Sequence, residues 1–236
     1  MFLLTTNTEA LTKFYNILLL FLLSFVMAFS CHQKEASAST VEVGEESEPP
    51  QNYTTKKMSV NEFISWCANE NNKLSKVKTI ADMAYKLSYL PTEAMAYLEL
   101  RTEEYTAEKF QKTCKSYNQM TYFKFRIEAL GGNGELLKYN LQSPQQYDYR
   151  VKYTSFDMQN DVYLVQGKDT LKPGLFQFER IFEAAPYGTA MFAFDNTLFN
   201  KNNEFTVVYN DKLFDKGFIK FNYKNKQLIN LPNIIL

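Results

Sequence analysis

Histidine is almost missing from this chain, whose 236 residues include only His32. A Ser-His-Asp or Cys-His nucleophile needs an imidazole held beside it, and the H-E-x-x-H zinc proteases need two. With no histidine after residue 32, the later sequence has none to supply to either class. No stretch matches G-x-x-x-x-G-K-[ST], so the Walker-type phosphate cradle is excluded as well. An excess of either charge is also lacking, because 26 basic residues balance 26 acidic ones. No global field then attracts nucleic acid, and none is expected as a partner. Nothing in the sequence calls for a cofactor or a metal.

Aromatic side chains are abundant: 20 Phe, 16 Tyr and the single Trp66 make up 16% of the chain. Phe and Tyr favour strands, so this composition leans toward β structure. Residues 17–30, ILLLFLLSFVMAFS, form an uncharged apolar run ending directly at Cys31. The run is shorter than the roughly 20 residues of a spanning helix and fits the apolar core of a signal peptide. Ala28, Phe29 and Ser30 ahead of Cys31 resemble the lipobox of bacterial lipoproteins, in which a cysteine is lipidated and becomes the mature N-terminus. That resemblance implies a leader over residues 1–30 and an acyl anchor on Cys31. An uncleaved anchor or ordinary secretion is the alternative.

Residues 31–55 carry several Glu residues, a Pro pair and few large apolar side chains, which is the composition of a tether. Glu45, Glu46 and Glu48 read as solvating charge. Lys34 and Glu35 resemble the charged signals that send some lipoproteins of the Bacteroidetes group to the cell exterior.

The remainder, 56–236, reads as one domain. Val60, Phe63, Ile64, Trp66 and Cys67 recur at helical spacing between Met58 and Asn69, with Trp66 on the core stripe. A strand is expected over Ile80–Leu90, where Met83, Tyr85, Leu87 and Tyr89 alternate with smaller or polar residues. A helix begun by a Thr cap follows over Glu93–Leu100. Another, capped by Thr106, is expected over Ala107–Tyr117, with Ala107, Phe110, Cys114 and Tyr117 as its buried stripe. From Thr121 alternation dominates, and strands are expected over 121–129, 149–156, 162–166, 175–183, 189–195, 205–209, 217–223 and 228–235. Gly131-Gly132-Asn133-Gly134, Ser143-Pro144, Lys172-Pro173-Gly174, Pro186-Tyr187-Gly188 and Asn202-Asn203 read as turns between them. The expected fold class is α+β, mostly β: antiparallel sheets in a sandwich-like domain, with two or three short helices near its N-terminal end.

Few residues nominate themselves for chemistry. Cys67 and Cys114 read as small buried hydrophobes, and a disulfide between them needs a close Cα approach that spacing does not establish. A hydrolase built on two carboxylates stays open, with no pair nominated. Arg180 is the one candidate ligand contact, because Phe176, Phe178, Arg180 and Phe182 fall on one strand face. It either stacks on its aromatic neighbours with its head at the rim, or pairs with a carboxylate of an adjacent strand, or clamps an anion in a pocket. Aromatic rows also bind sugar rings, but most rings here are needed to fill a core.

The segments KLSYLPTEAMAYLEL, KPGLFQFERIFEAAPYG and VVYNDKLFDKGFIKFNY resemble those of uncharacterised lipoproteins of the Bacteroidetes group. The resemblance implies an envelope lipoprotein and transfers no functional residue. The expectation is an outer-membrane protein held by its lipid anchor, whose domain offers a non-enzymatic surface to other envelope proteins. Surface glycan binding or nutrient capture is the alternative.

Overall fold

The computed structural model describes residues 56–101, 104–180, 185–224, 228 and 230–235. The leader, Cys31, His32 and the acidic segment lie outside the described residues, as does Phe182. Among the described residues no helix is long and apolar enough to cross a membrane.

Strand β1 (Lys57–Ser59) leads directly into helix α1 (Val60–Ala68). The junction is a capping box: the Glu62 N–H donates to Ser59 Oγ, and the Ser59 N–H donates back to Glu62 Oε2 at 2.8 Å. Strands β2 (Ser75–Ile80) and β3 (Met83–Leu90) form a hairpin that turns on Ala81, at φ 52°, and Asp82. Helices α2 (Thr92–Leu100) and α3 (Ala107–Ser116) follow. The expected Thr cap of α2 is instead its first helical residue; Pro91 holds the cap position and supplies no side-chain bond. Thr106 does cap α3, accepting the Lys109 N–H at 3.2 Å. The buried stripe of α3 is formed by Phe110 and Thr113, with Ala107 exposed and Cys114 at the margin.

Strand β4 (Met120–Ala129) comes next, followed by helix α4 (Pro144–Lys152), which replaces the strand expected over residues 149–156. The cause is local. Ser143 Oγ accepts the Gln146 N–H and Pro144 occupies the first helical position, so the expected turn is a helix start. Tyr149 then stacks on Tyr153 across one helical turn at 6.0 Å. The helix runs on into a π-helical turn, Tyr153–Asp157, where the hydroxyls of Thr154 and Ser155 donate to Val151 O. The chain continues with β5 (Val162–Gln166), β6 (Asp169–Leu171), β7 (Leu175–Glu179), β8 (Tyr187–Asp195), β9 (Phe205–Asp211), β10 (Gly217–Tyr223) and β11 (Asn233–Ile235). The strand expected over residues 228–235 is thus confined, among the described residues, to β11.

These strands form two antiparallel sheets, ordered β2-β3-β4-β8-β7 and β10-β9-β5-β6. A separate parallel pair joins β1 to β11, with Met58 opposite Ile234. The domain is therefore strand-rich α+β with packed antiparallel sheets and no closed barrel. Its core is rich in aromatic rings. Phe125 meets Tyr209 at 5.2 Å and Phe221 at 6.1 Å, and Phe123 meets Tyr223 at 5.5 Å, so side chains of β4 interdigitate with those of β9 and β10. Phe63 and Cys67 of α1 join this core, whereas Ala96, Leu100 and Phe110 form a satellite cluster with Val60 and Ile234. Ile234 of β11 thereby packs against the cluster that these early helices share.

Gly188 in β8 lies against the Phe178 ring of β7: a Cβ there would lie 2.5 Å from Phe178 Cζ and 3.2 Å from Leu136 Cδ2. Gly188→Ala is expected to cost about 1–3 kcal/mol, the usual penalty for overpacking a filled site. Urea denaturation of the variant against the parent checks this.

Candidate functional site

Arg180 lies one residue beyond β7 and is engaged by protein groups. Its Nε donates to Glu135 Oε1 at 2.6 Å, a terminal guanidinium nitrogen donates to the Tyr147 hydroxyl, and its head lies 5.3 Å from the Tyr147 ring centre. The Tyr147 hydroxyl in turn donates to Glu135 Oε2 at 3.2 Å. Glu135 is almost wholly buried, its side chain 2% exposed, so the charge-assisted bond compensates its removal from water. The acid comes from the segment ahead of a short 3-10 turn, Leu136–Lys138, and not from an adjacent strand. The aromatic partner is on α4, not on Arg180's own strand. Beside this cluster is a cavity of about 50 Å³ between the glycine loop 131–134, Lys138 and Pro186.

A second polar cluster was not nominated by the sequence. Asp211, at the end of β9, is 2% exposed and accepts five donors. Oδ1 takes the Tyr209 hydroxyl at 3.1 Å and the N–H groups of Leu213 and Phe214 at 3.0 and 3.1 Å. Oδ2 takes the Tyr85 hydroxyl at 2.6 Å and the Lys216 N–H at 3.4 Å. The loop that Asp211 organises then projects Lys216, whose Nζ donates to Asp82 Oδ1 at 2.7 Å. Tyr139 donates to the other oxygen of Asp82 at 2.9 Å. Both partners hold the Asp82 carboxyl below its ordinary pKa, and Asp82 holds the Lys216 ammonium above its own. Close by, Tyr153 donates to Asp161 Oδ2 at 3.0 Å and Lys212 reaches Asp161 Oδ1 at 2.8 Å.

A carboxylate offers about four lone-pair sites, so Asp211 has no capacity left for a substrate. Its chemistry is cohesive: it ties β3 of one sheet to β9 of the other and closes the β9–β10 loop. A sequence signal for it exists. Phe205, Val207, Tyr209 and Asp211 alternate, which places an acid in an apolar row just as Arg180 sits in an aromatic one.

The thiols are free, and both are pushed up by burial and by nearby Glu93, Cys67 to about 12 and Cys114 to about 11. Each is therefore protonated, and a poor nucleophile, at neutral pH. An open concavity of about 500 Å³ runs along α1, with Lys57, Asn61, Glu62, Trp66, Asn69 and Asn72 on its walls. Trp66, expected on the core stripe, is half-buried and lines this groove while stacking on Phe63 at 6.2 Å. Neither the groove nor the small cavity brings two carboxylates together, since each contributes one, Glu62 and Glu135.

Asp211→Ala would strand two buried hydroxyls and three loop N–H groups, and is expected to cost about 3 kcal/mol or more. Equilibrium unfolding in denaturant measures it. Burial and the neighbouring acids raise the phenols of Tyr85, Tyr153 and Tyr209 above their ordinary value near 10. A folded-state pKa above the unfolded one contributes stability that is complete below about pH 10 and lost as pH rises through the folded value. These three rings are expected to ionise only as the protein unfolds in alkali. Phenolate absorbance and circular dichroism should then change together. No family model matches this chain, and no curated protein or solved structure is similar enough to it to count as a match.

Proposed function

We propose that this chain is a lipid-anchored envelope protein whose strand-rich domain serves as a non-enzymatic binding or assembly surface at the outer membrane. The observation that carries this reading is the apolar run 17–30 ending at Cys31, followed by an acidic, proline-containing stretch. A membrane reached through acyl chains and neighbouring envelope proteins are then its partners. Two features of the domain favour a surface over an active site. Its most buried acids, Glu135 and Asp211, are committed to protein donors. Both described thiols are held in the protonated form.

Metabolic labelling with a fatty-acid analogue tests the anchor. Cys31→Ala is expected to abolish the label, and a variant that labels as strongly as the parent would refute the reading. A second reading, glycan capture, is favoured by the groove along α1, where one indole is combined with the amides of Asn61, Asn69 and Asn72. Ring stacking plus planar hydrogen-bonding groups is the chemistry that recognises a pyranose. The full-length protein in detergent is expected to mark sugars on a glycan array and to lose that signal in Trp66→Ala; a blank array removes this version and leaves the anchor untouched.

A further inference from the structure

Asn133 is the only asparagine in the chain followed by glycine. It is exposed, on the loop between β4 and the 3-10 turn at Leu136. Among the described residues its side chain has no hydrogen-bond partner, and neither has the Gly134 N–H. Gly134 adopts φ 101°, and a Cβ placed on it would meet nothing within 4 Å. The two residues also border the small cavity beside Glu135, which leaves space on that side of the loop. Five other asparagines differ in both respects. The side chains of Asn69, Asn72, Asn196, Asn200 and Asn222 are all tied into hydrogen bonds, and none of these residues precedes glycine.

From this juxtaposition we infer that Asn133 is a site of self-modification, closing on the Gly134 nitrogen to a succinimide and then opening to a carboxylate. The peptide nitrogen of Gly134 loses its proton and attacks Asn133 Cγ. The N–Cγ bond forms, the Cγ–Nδ2 bond breaks, and the amide leaves as ammonia after taking up a proton. Water then adds to either ring carbonyl, giving an aspartyl or an isoaspartyl linkage. No oxidant, reductant or enzyme is required. Glycine favours the closure for two reasons: no side chain shields its nitrogen, and its backbone visits conformations that other residues rarely adopt. A peptide N–H engaged in a ladder or helix could not be spared, but this one is not engaged.

The product changes the local electrostatics. A neutral side chain becomes an anion two residues from Glu135 and on the same cavity as Lys138. The isoaspartyl form also lengthens the backbone by one carbon in the loop that leads into the Glu135–Arg180 pair. The site is therefore a slow, one-way charge change in a chain whose formal charge starts at zero.

The test uses the full-length protein in detergent, held folded at mildly alkaline pH in water enriched in heavy oxygen. Mass spectrometry then follows the tryptic peptide Ile127–Lys138. Heavy oxygen is expected to enter at Asn133 roughly tenfold or more faster than at any other asparagine, a difference within reach of a modest change in barrier. Both aspartyl and isoaspartyl products should form, and Asn133→Gln should suppress them because its ring closure is larger. A synthetic peptide of residues 127–138 serves as reference. If the peptide reacts while the folded protein does not, the loop protects Asn133 and the inference fails. Aspartate formed without any isoaspartate would mean direct hydrolysis and would overturn it equally.

Discussion

The arrangement of the two sheets depends on one buried carboxylate. Asp211 receives Tyr85 from the opposite sheet and Tyr209 from its own strand, together with three N–H groups of the loop it begins. Burying an acid is costly, and the cost is offset only when its acceptor sites are filled. Here they are filled from both sheets, so the acid has its full set of partners only when the sheets are correctly seated. The apolar faces alone would tolerate small sliding; a five-donor carboxylate does not. Lys216, placed by that loop, then fastens the β2–β3 hairpin through Asp82. One end of the sandwich is thereby pinned twice.

The other main feature is how the aromatic residues are used. Phe123, Phe125, Phe192, Phe194, Phe205, Phe221, Tyr209 and Tyr223 are all nearly or wholly buried. Their rings meet edge-on or offset within 5.2–6.4 Å, in the range where quadrupoles reinforce packing. Where a ring carries a hydroxyl, the hydroxyl finds a partner: Tyr223 donates to the carbonyls of Leu74 and Leu87 at 3.2 Å. An aromatic content that suggests ligand stacking is thus consumed largely by the interior. Phe156 and Phe218, which are exposed, and Trp66, half-buried beside the α1 groove, are rings set outside that interior.

Much of the sheet framework was legible because its faces are sharply divided. In β4, Phe123, Phe125 and Ile127 alternate with Lys124, Arg126 and Glu128, and burial follows that alternation. Strand β2 was missed for the opposite reason. Its central Val77 is 44% exposed and flanked by Lys76 and Lys78, as suits an edge strand, so it carries no apolar row to detect. Helix α4 was misread because Tyr149, Val151 and Tyr153 alternate as a strand would, while the decisive information lay upstream in Ser143 and Pro144. The oddity of Arg180 was visible in its aromatic row, but Glu135 and Tyr147 are 45 and 33 residues away and nothing local points to them. Asp211 was missed by a boundary alone: ending β9 at Tyr209 cut off the next inward-facing position.

The parallel ladder of β1 and β11 has a mechanical corollary. Among the described residues, β1 has no other strand beside it, and it is the first element after residue 56. Traction arriving from the amino-terminal side would meet a short ladder whose rungs share the strain together instead of opening in succession. The folded body would thus owe its hold on that end to the three rungs between Lys57–Ser59 and Asn233–Ile235.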